Sequence, residues 1–343
     1  MGDGGISRKP GKSKASIGLD IGSHSIKIVE LSGAPEKPSL VSFGLKKVLG
    51  SSQDAIVTSI KNLAEELKLS AKDVTIGVSG PSVIVRLISM PKMTDAELAG
   101  AVRFETEKFI PFDINDCVLD FQITAPATKE KNTADIILAA VKKDYCMQRV
   151  ALAQAAGFTV STVDVDILAV TNAFLGNLPP VDGTKTFAVI HVGAACTDIS
   201  ILKGGTPSFV RQISIGSNDC SAAISKGMGL SADAAEALKV SPQAKAQEVI
   251  TCTKQVLNNL IDEVKLSFGY YENQSGRGID EIYVAGGGAT ILGLEETFEE
   301  ILGTKPRCWD PFQFLDKAQV AGGVTMEEKI KSAFGVAVGL ALR

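Results

Sequence analysis

The 343-residue chain is predicted to be an α/β protein of two similar halves that face each other across a ligand cleft. Three stretches predict this. Residues 16–31, SIGLDIGSHSIKIVEL, set two apolar, β-prone runs around the polar turn Gly22-Ser23-His24-Ser25. Ile26 and Ile28 alternate with Lys27, as in a hairpin with one face on a core. Residues 188–202, AVIHVGAACTDISIL, repeat the layout 171 positions later: Asp20 matches His191, Gly22 matches Gly193, Ser25 matches Cys196 and Lys27 matches Asp198. A unit that recurs in this way marks a duplicated fold. The third stretch, IYVAGGGA (282–289), runs an apolar strand into three glycines and then a helix. That layout lets a flat ligand lie against bare backbone.

The elements follow in order. After the first hairpin come a strand at Ser39–Val48 and an amphipathic helix at Ala55–Leu67, with Ile56, Ile60, Leu63, Ala64 and Leu67 on one face. Strands at Val74–Val78 and Val83–Ser89, around the turn Ser79-Gly80-Pro81-Ser82, complete the first half. Pro91 opens an insertion. Thr94-Asp95-Ala96-Glu97 is a capping box whose helix stops before Pro111. Strands at Asp116–Ile123 and Asp135–Val141 flank the polar loop Lys129–Thr133, and a helix at Lys142–Ala156 ends at Gly157. Phe109-Ile110-Pro111-Phe112 reads either as a helix end with core-packed aromatics or as a partner-facing apolar edge.

A strand at Phe158–Val165, a small-residue helix at Ile167–Leu175 and the hinge linker Gly176–Gly183 lead into the second half. There a hairpin (Phe187–Leu202) and a strand (Pro207–Ile215) precede helices at Asp219–Met228, Ala232–Val240 and Gln247–Phe268. After the three glycines come a helix at Leu292–Leu302, a short strand near Lys305–Trp309 and a last helix at Met326–Leu342. The run KSAFGVAVGLALR is rich in Ala and Gly, which predicts close packing beside the 167–175 helix.

Composition narrows the function. A chain this long supports two or more domains, and 45% apolar with 22% charged residues is ordinary for a soluble α/β protein. A net charge of −4 argues against bulk nucleic-acid binding. Six scattered cysteines without a Cys-x-x-Cys pair predict reduced thiols. No uncharged apolar run reaches the ~18 residues of a membrane span. Residues 1–15 carry Arg8, Lys9, Lys12 and Lys14 without a following apolar stretch, so they read as a disordered basic tail rather than a signal peptide. In the first hairpin, Gly22 permits close backbone approach, and Ser23, Ser25 and the turn N–H groups form an anion nest. Asp20 is placed for a hydrated metal and Lys27 for phosphate charge. Alone this is an ordinary β-turn; its recurrence points to a phosphate cradle.

These stretches resemble the actin-like ATPase superfamily and, within it, the PilM family of type IV pilus assembly, related to FtsA. LDIGSHSIKIVEL resembles the first phosphate loop, while residues 90–121, LIDEVKLSFGYYENQ (260–274) and VAGGGATILGL narrow the match to PilM. The resemblance spans residues 16–343. It implies an actin-like (ribonuclease H-like) duplicated fold with subdomain 1A at 16–90, an inserted FtsA-type 1C at 91–158, and a return to 1A with the hinge at 159–183. Subdomain 2A follows at 184–228, 2B at 229–265, the return to 2A at 266–320, and a helix packing back in 1A at 321–343.

The resemblance also implies ATP and Mg2+. Gly22, Ser23, His24 and Ser25 would contact the terminal phosphates, Lys27 would reach them, and Asp20 would hold water on Mg2+. Gly193, Ala194, Ala195 and Thr197 would wrap the phosphates from the other side. Gly286, Gly287, Gly288 and Ala289 would lie along the adenosine. Glu263 and Lys265 would reach the ribose or base, although an i, i+2 pair does not share a helix face. Asp164 and Asp166 are candidates to position a water, with Asp166 also readable as an N-cap.

One position departs from the family: His191 stands where Asp-x-Gly is usual. A neutral imidazole cannot replace a carboxylate beside Mg2+, so ATP hydrolysis is expected to be slow or absent. Asp198, seven residues on, is a candidate to compensate in part for that charge, but strand period is expected to put it on the opposite face from His191. The histidines His24 and His191 lie in facing hairpins, but the further ligands of a zinc site are missing. The function implied is a cytoplasmic ATP-binding scaffold recruited to the inner face of the inner membrane. A groove near 1C would take the N-terminal cytoplasmic peptide of PilN as an extended segment, with pilus motor ATPases and platform proteins as further partners. The alternatives are an ATPase or phosphotransferase of the superfamily, or a self-associating filament protein of the FtsA or bacterial-actin type.

Overall fold

The computed structural model describes residues 15–34, 37–48, 50, 52–125, 132–177, 183–317 and 328–343. Residues 1–14 of the expected tail at 1–15, residues 129–131 of the loop Lys129–Thr133, most of the hinge linker and the start of the last helix lie outside these residues. In chain order the strands are β1 (Ser16–Ile21), β2 (Ser25–Ala34), β3 (Lys37–Lys47), β4 (Asp73–Val78), β5 (Val83–Pro91), β6 (Cys117–Ala125) and β7 (Thr133–Lys142). They continue with β8 (Thr159–Val165), β9 (Thr186–Val192), β10 (Thr197–Lys203), β11 (Thr206–Ile213), β12 (Glu281–Ala285) and β13 (Arg307–Cys308). The helices are α1 (Gln53–Leu67), α2 (Asp95–Thr106), α3 (Lys143–Ala155), α4 (Asp166–Asn177) and α5 (Ser217–Met228). After them come α6 (Ala232–Val240), α7 (Ala246–Ser275), α8 (Leu294–Leu302), α9 (Glu328–Lys331) and α10 (Gly335–Ala341).

Two five-stranded sheets carry the duplication. Their orders, β3-β2-β1-β4-β8 and β11-β10-β9-β12-β13, are the same topology written twice. In each, an antiparallel hairpin lies beside parallel strands. This is the duplicated two-half α/β architecture that the sequence predicted.

The inserted element is a third sheet, β5-β7-β6. Here the structure corrects one assignment. Val83–Ser89 was expected in the first half, but β5 pairs with β7 along its whole length. Gly80, at φ +95°, turns the chain away from the first sheet. Alternation along a strand records which face is buried, not which sheet it joins. The Thr94–Glu97 capping box forms as predicted, with Thr94 N–H donating to Glu97 Oε2 at 2.8 Å. The aromatics after α2 are not core residues: Phe109 is exposed and Phe112 half-buried.

The core between the two large sheets is built on α4 and α10. Ala169, Val170 and Phe174 of α4 pack with Val336, Ala337 and Leu340, and with Trp309 and Phe312. Phe174 lies edge-on to Tyr283 (4.9 Å) and Trp309 (5.4 Å). The small-residue run makes this possible. A Cβ on Gly339 would lie 1.8 Å from the Ala169 carbonyl oxygen, and one on Gly18 2.1 Å from that of Ala337. The outer faces are covered by α1 and α3 on the first sheet and by α5, α7 and α8 on the second. Helix α7 runs unbroken through residue 265, to a C-cap at Gly276.

Candidate functional site

Both hairpin turns open onto one cavity of about 570 Å³ between the halves. Each turn closes in the same way: Gly22 N–H donates to the Ser25 carbonyl at 3.1 Å, and Gly193 N–H to the Cys196 carbonyl at 2.9 Å. A side chain at either glycine would strike its acceptor, since a Cβ would lie 2.7 or 2.8 Å from it. The strand registers match too. Asp20 faces Lys27 across β1–β2, and His191 faces Asp198 across β9–β10.

Directly opposite residues of an antiparallel pair point to one face, and His191 and Asp198 both line the cavity. The expectation that they occupy opposite faces is therefore overturned. Period two holds along one strand, whereas a four-residue turn brings positions seven apart opposite each other.

The walls are charged. Lys27 Nζ lies 3.1 Å from Asp20 Oδ2, with both side chains nearly buried. Gln212 Nε2 donates to Asp198 Oδ1 at 2.8 Å; loss of solvent pushes the Asp198 carboxyl up to about 6, against that hydrogen bond. Asp166 is pushed to about 7 by burial, then by Asp20 and Asp198, while Ser79 and Arg149 oppose the shift. Its Oδ1 is buried without a hydrogen-bond partner. The same loss of solvent carries the His191 imidazole down to about 4, with Lys27 acting in the same sense and Asp20 against it. His191 is neutral at pH 7.

The rim also joins the halves. His24 Nε2 lies 3.6 Å from Glu236 Oε1 on α6, and burial lowers the His24 pKa despite that carboxylate. Lys239, itself buried, bridges Glu236 Oε2 at 2.7 Å and the Ser217 carbonyl at 3.0 Å.

Of the residues expected here, Asp20, Gly22, Ser23, His24, Ser25, Lys27, Asp166, Gly193, Ala194, Ala195 and Gly287 line the cavity. The others are placed elsewhere. Thr197 is buried and donates to the Ile215 carbonyl at 2.8 Å. Gly286 (φ +90°) and Gly288 pack on Val192, with Gly288 N–H donating to the Val192 carbonyl at 2.9 Å. Ala289 packs against the second core. These glycines fit the loop to β9 and leave Gly287 as the bare-backbone surface.

Glu263 is drawn to Arg211, 2.6 Å away, and Lys265 is exposed; neither lines the cavity. Helix α7 buries its Leu260, Ile261 and Val264 face against the second sheet, which carries their flanks away. Asp164 accepts from Arg343 Nε at 2.5 Å and lines a different groove. Asp166 is the first residue of α4 and, with Oδ1 unpaired, is not an N-cap.

Sequence reasoning missed Tyr145, Arg149, Ser217, Glu236 and Lys239, all of which line the cleft. Arg149 donates to the Ile21 carbonyl, and its Nε is buried without a partner. Nothing local marks these side chains; long-range folding of α3, α5 and α6 brings them in.

The second groove, about 180 Å³, runs between β6 and β8, each an edge strand of its sheet. Val118, Phe121, Ile137, Cys146, Val163 and Leu168 line it, with Asp120 and the Asp164–Arg343 pair as its charges.

Two glycine turns, an exposed glycine and flanking carboxylates and cations fit a ligand that carries phosphates and a cation. The described residues bring no three His, Cys, Asp or Glu side chains together as direct ligands of one metal. The carboxylates therefore suit an ion that keeps its waters, as Mg2+ does. None of the described helices is long and apolar enough to cross a membrane.

The sequence model of the family described as type IV pilus assembly protein PilM matches residues 18–343. Among solved structures, a chain of the PilM–PilN type IV pilus biogenesis complex is similar at 28% identity, with a TM-score of 0.84 over 96% of this chain and 98% of that one. The ethanolamine utilization protein EutJ from Carboxydothermus hydrogenoformans shares the fold, with 15% identity and a TM-score of 0.58 over 97% and 91% of the two chains.

Proposed function

The chain belongs to the type IV pilus assembly protein PilM family, and from that premise we propose a nucleotide-dependent assembly scaffold with two sites. The cleft takes ATP with hydrated Mg2+: the Gly22 and Gly193 turns hold the phosphates, Gly287 lies against the nucleoside, and Asp20 and Asp166 face the ion. The groove between β6 and β8 takes the N-terminal cytoplasmic peptide of PilN, which would tether the protein to the inner face of the inner membrane.

The observation that carries the partner reading is the pair of edge strands. Both leave backbone N–H and C=O groups available to an added strand, and apolar side chains floor the gap. Arg343, paired with Asp164 in the same groove as Asp120, supplies charge to fix the direction of the peptide. The match to the PilM–PilN complex supports PilN as the occupant.

The test is fluorescence anisotropy of a labelled PilN N-terminal peptide against the full chain, with and without Mg–ATP. The reading expects saturable binding at micromolar concentration; no binding under either condition contradicts it.

A second reading, slow ATP cleavage, is favoured by Asp166. Its side chain lines the cleft and its pKa is brought to about 7, the range suited to accepting a proton from water. Phosphate release in a single turnover, lost in Asp166→Asn, supports it; equal release from both proteins dismisses it.

A further inference from the structure

The two hairpins carry the same turn but not the same charge order. In the first, the acid is on the leading strand and the cation opposite: Asp20 on β1, Lys27 on β2. In the second, the acid is on the returning strand: His191 on β9, Asp198 on β10. We propose that Asp198 supplies the second hairpin's carboxylate for the hydrated Mg2+ of a bound nucleotide, so that the loss of an acid at position 191 is made good one strand away. The inference rests on the nucleotide reading of the cleft.

Four observations carry it. Opposed residues in an antiparallel pair stand about 5 Å apart on one face, so moving a carboxylate from 191 to 198 keeps it at the cleft, and Asp198 does line it. Asp198 is 4% exposed and held by Gln212, its cross-strand neighbour on β11; its orientation is fixed before any ligand arrives. Asp20 and Asp198 both raise the Asp166 pKa, and all three side chains line the one cleft. Finally, Oδ1 of Asp166 is buried without a hydrogen-bond partner.

Of the nearby positive side chains, Lys27 is paired with Asp20, Arg149 donates to the Ile21 carbonyl and still acts on Asp166, and His191 is uncharged. A hydrated divalent cation adds positive charge among these carboxylates through its waters. His191→Asp, the substitution that the family pattern suggests, would then set two carboxylates directly opposite each other, a destabilising arrangement.

Equilibrium titration of the full chain with a fluorescent ATP analogue, in Mg2+ and in EDTA, tests the proposal. Mg2+ should tighten wild-type binding by about tenfold or more, and Asp198→Asn should abolish that gain, read as the ratio of affinities in Mg2+ and in EDTA for each protein. The double variant His191→Asp/Asp198→Asn should regain it. His191→Asp alone should show no larger gain than wild type. Full Mg2+ dependence in Asp198→Asn, or a larger gain in the single His191→Asp variant, overturns the proposal. Should Asp198→Asn melt at the assay temperature, the exchange His191→Asp/Asp198→His takes its place, and loss of the Mg2+ gain there overturns the proposal equally. Wild type that binds no nucleotide in either buffer overturns the cleft reading itself, and this inference with it.

Discussion

Asp164 and Asp166 look interchangeable in the sequence, two carboxylates two positions apart, yet they face different sites. The strand–helix junction at Val165 separates them: Asp164 is paired with Arg343 in the groove, and Asp166 lines the cleft. A one-dimensional reading finds such acids but cannot assign them, because the turn between strand and helix resets the direction of each side chain. The same limit misplaced Asp198, whose face is set by hairpin register. Stability follows from the burial of Asp166. Its pKa is raised from 3.8 to about 7, so the folded state holds the proton more tightly than the unfolded chain. Stability from this group is therefore present at low pH and lost as pH rises through 7. Asp166→Asn should raise the melting temperature of the metal-free protein in EDTA above pH 7, with the gain fading toward pH 4. A constant gain across that range would contradict the assignment.

The helix that packs between the large sheets was legible in advance. Ala- and Gly-rich composition predicts close approach, and α10 touches the α4 backbone through Gly339 and the β1 backbone through Gly18. Gly339→Ala should cost about 3 kcal/mol, the upper range for overpacking, because backbone rather than a flexible side chain blocks the new methyl. Thermal denaturation checks this; an unchanged midpoint would mean that α10 is loosely held. Glycine turns were legible for the same reason, since only glycine satisfies their geometry. The membership of β5 in the inserted sheet was not, because its Val-Ile-Val pattern suits either sheet. Nor was the full set of cleft residues, since Arg149, Glu236 and Lys239 come from helices whose own sequences face other demands.

At the scale of the molecule, the cleft and the groove lie back to back. Val165 and the start of α3 form the wall between them: Tyr145 and Arg149 face the cleft, Cys146 the groove. The account treats them as separate sites, so variants should separate them. Arg343→Glu should weaken peptide binding about tenfold or more by reversing charge in the groove, with nucleotide affinity unchanged. Equal loss of both ligands would mean that Arg343 holds the fold rather than the groove, given its bond to Asp164.

Amide hydrogen exchange on the full chain, read first with Mg–ATP and then with the PilN N-terminal peptide, tests the two-site account most directly. Nucleotide should slow exchange at Gly22–Ser25, Gly193–Cys196 and Gly287, and the peptide at β6 and β8. Protection by nucleotide that bypasses both hairpin turns, or by peptide that leaves β6 and β8 unchanged, would contradict it.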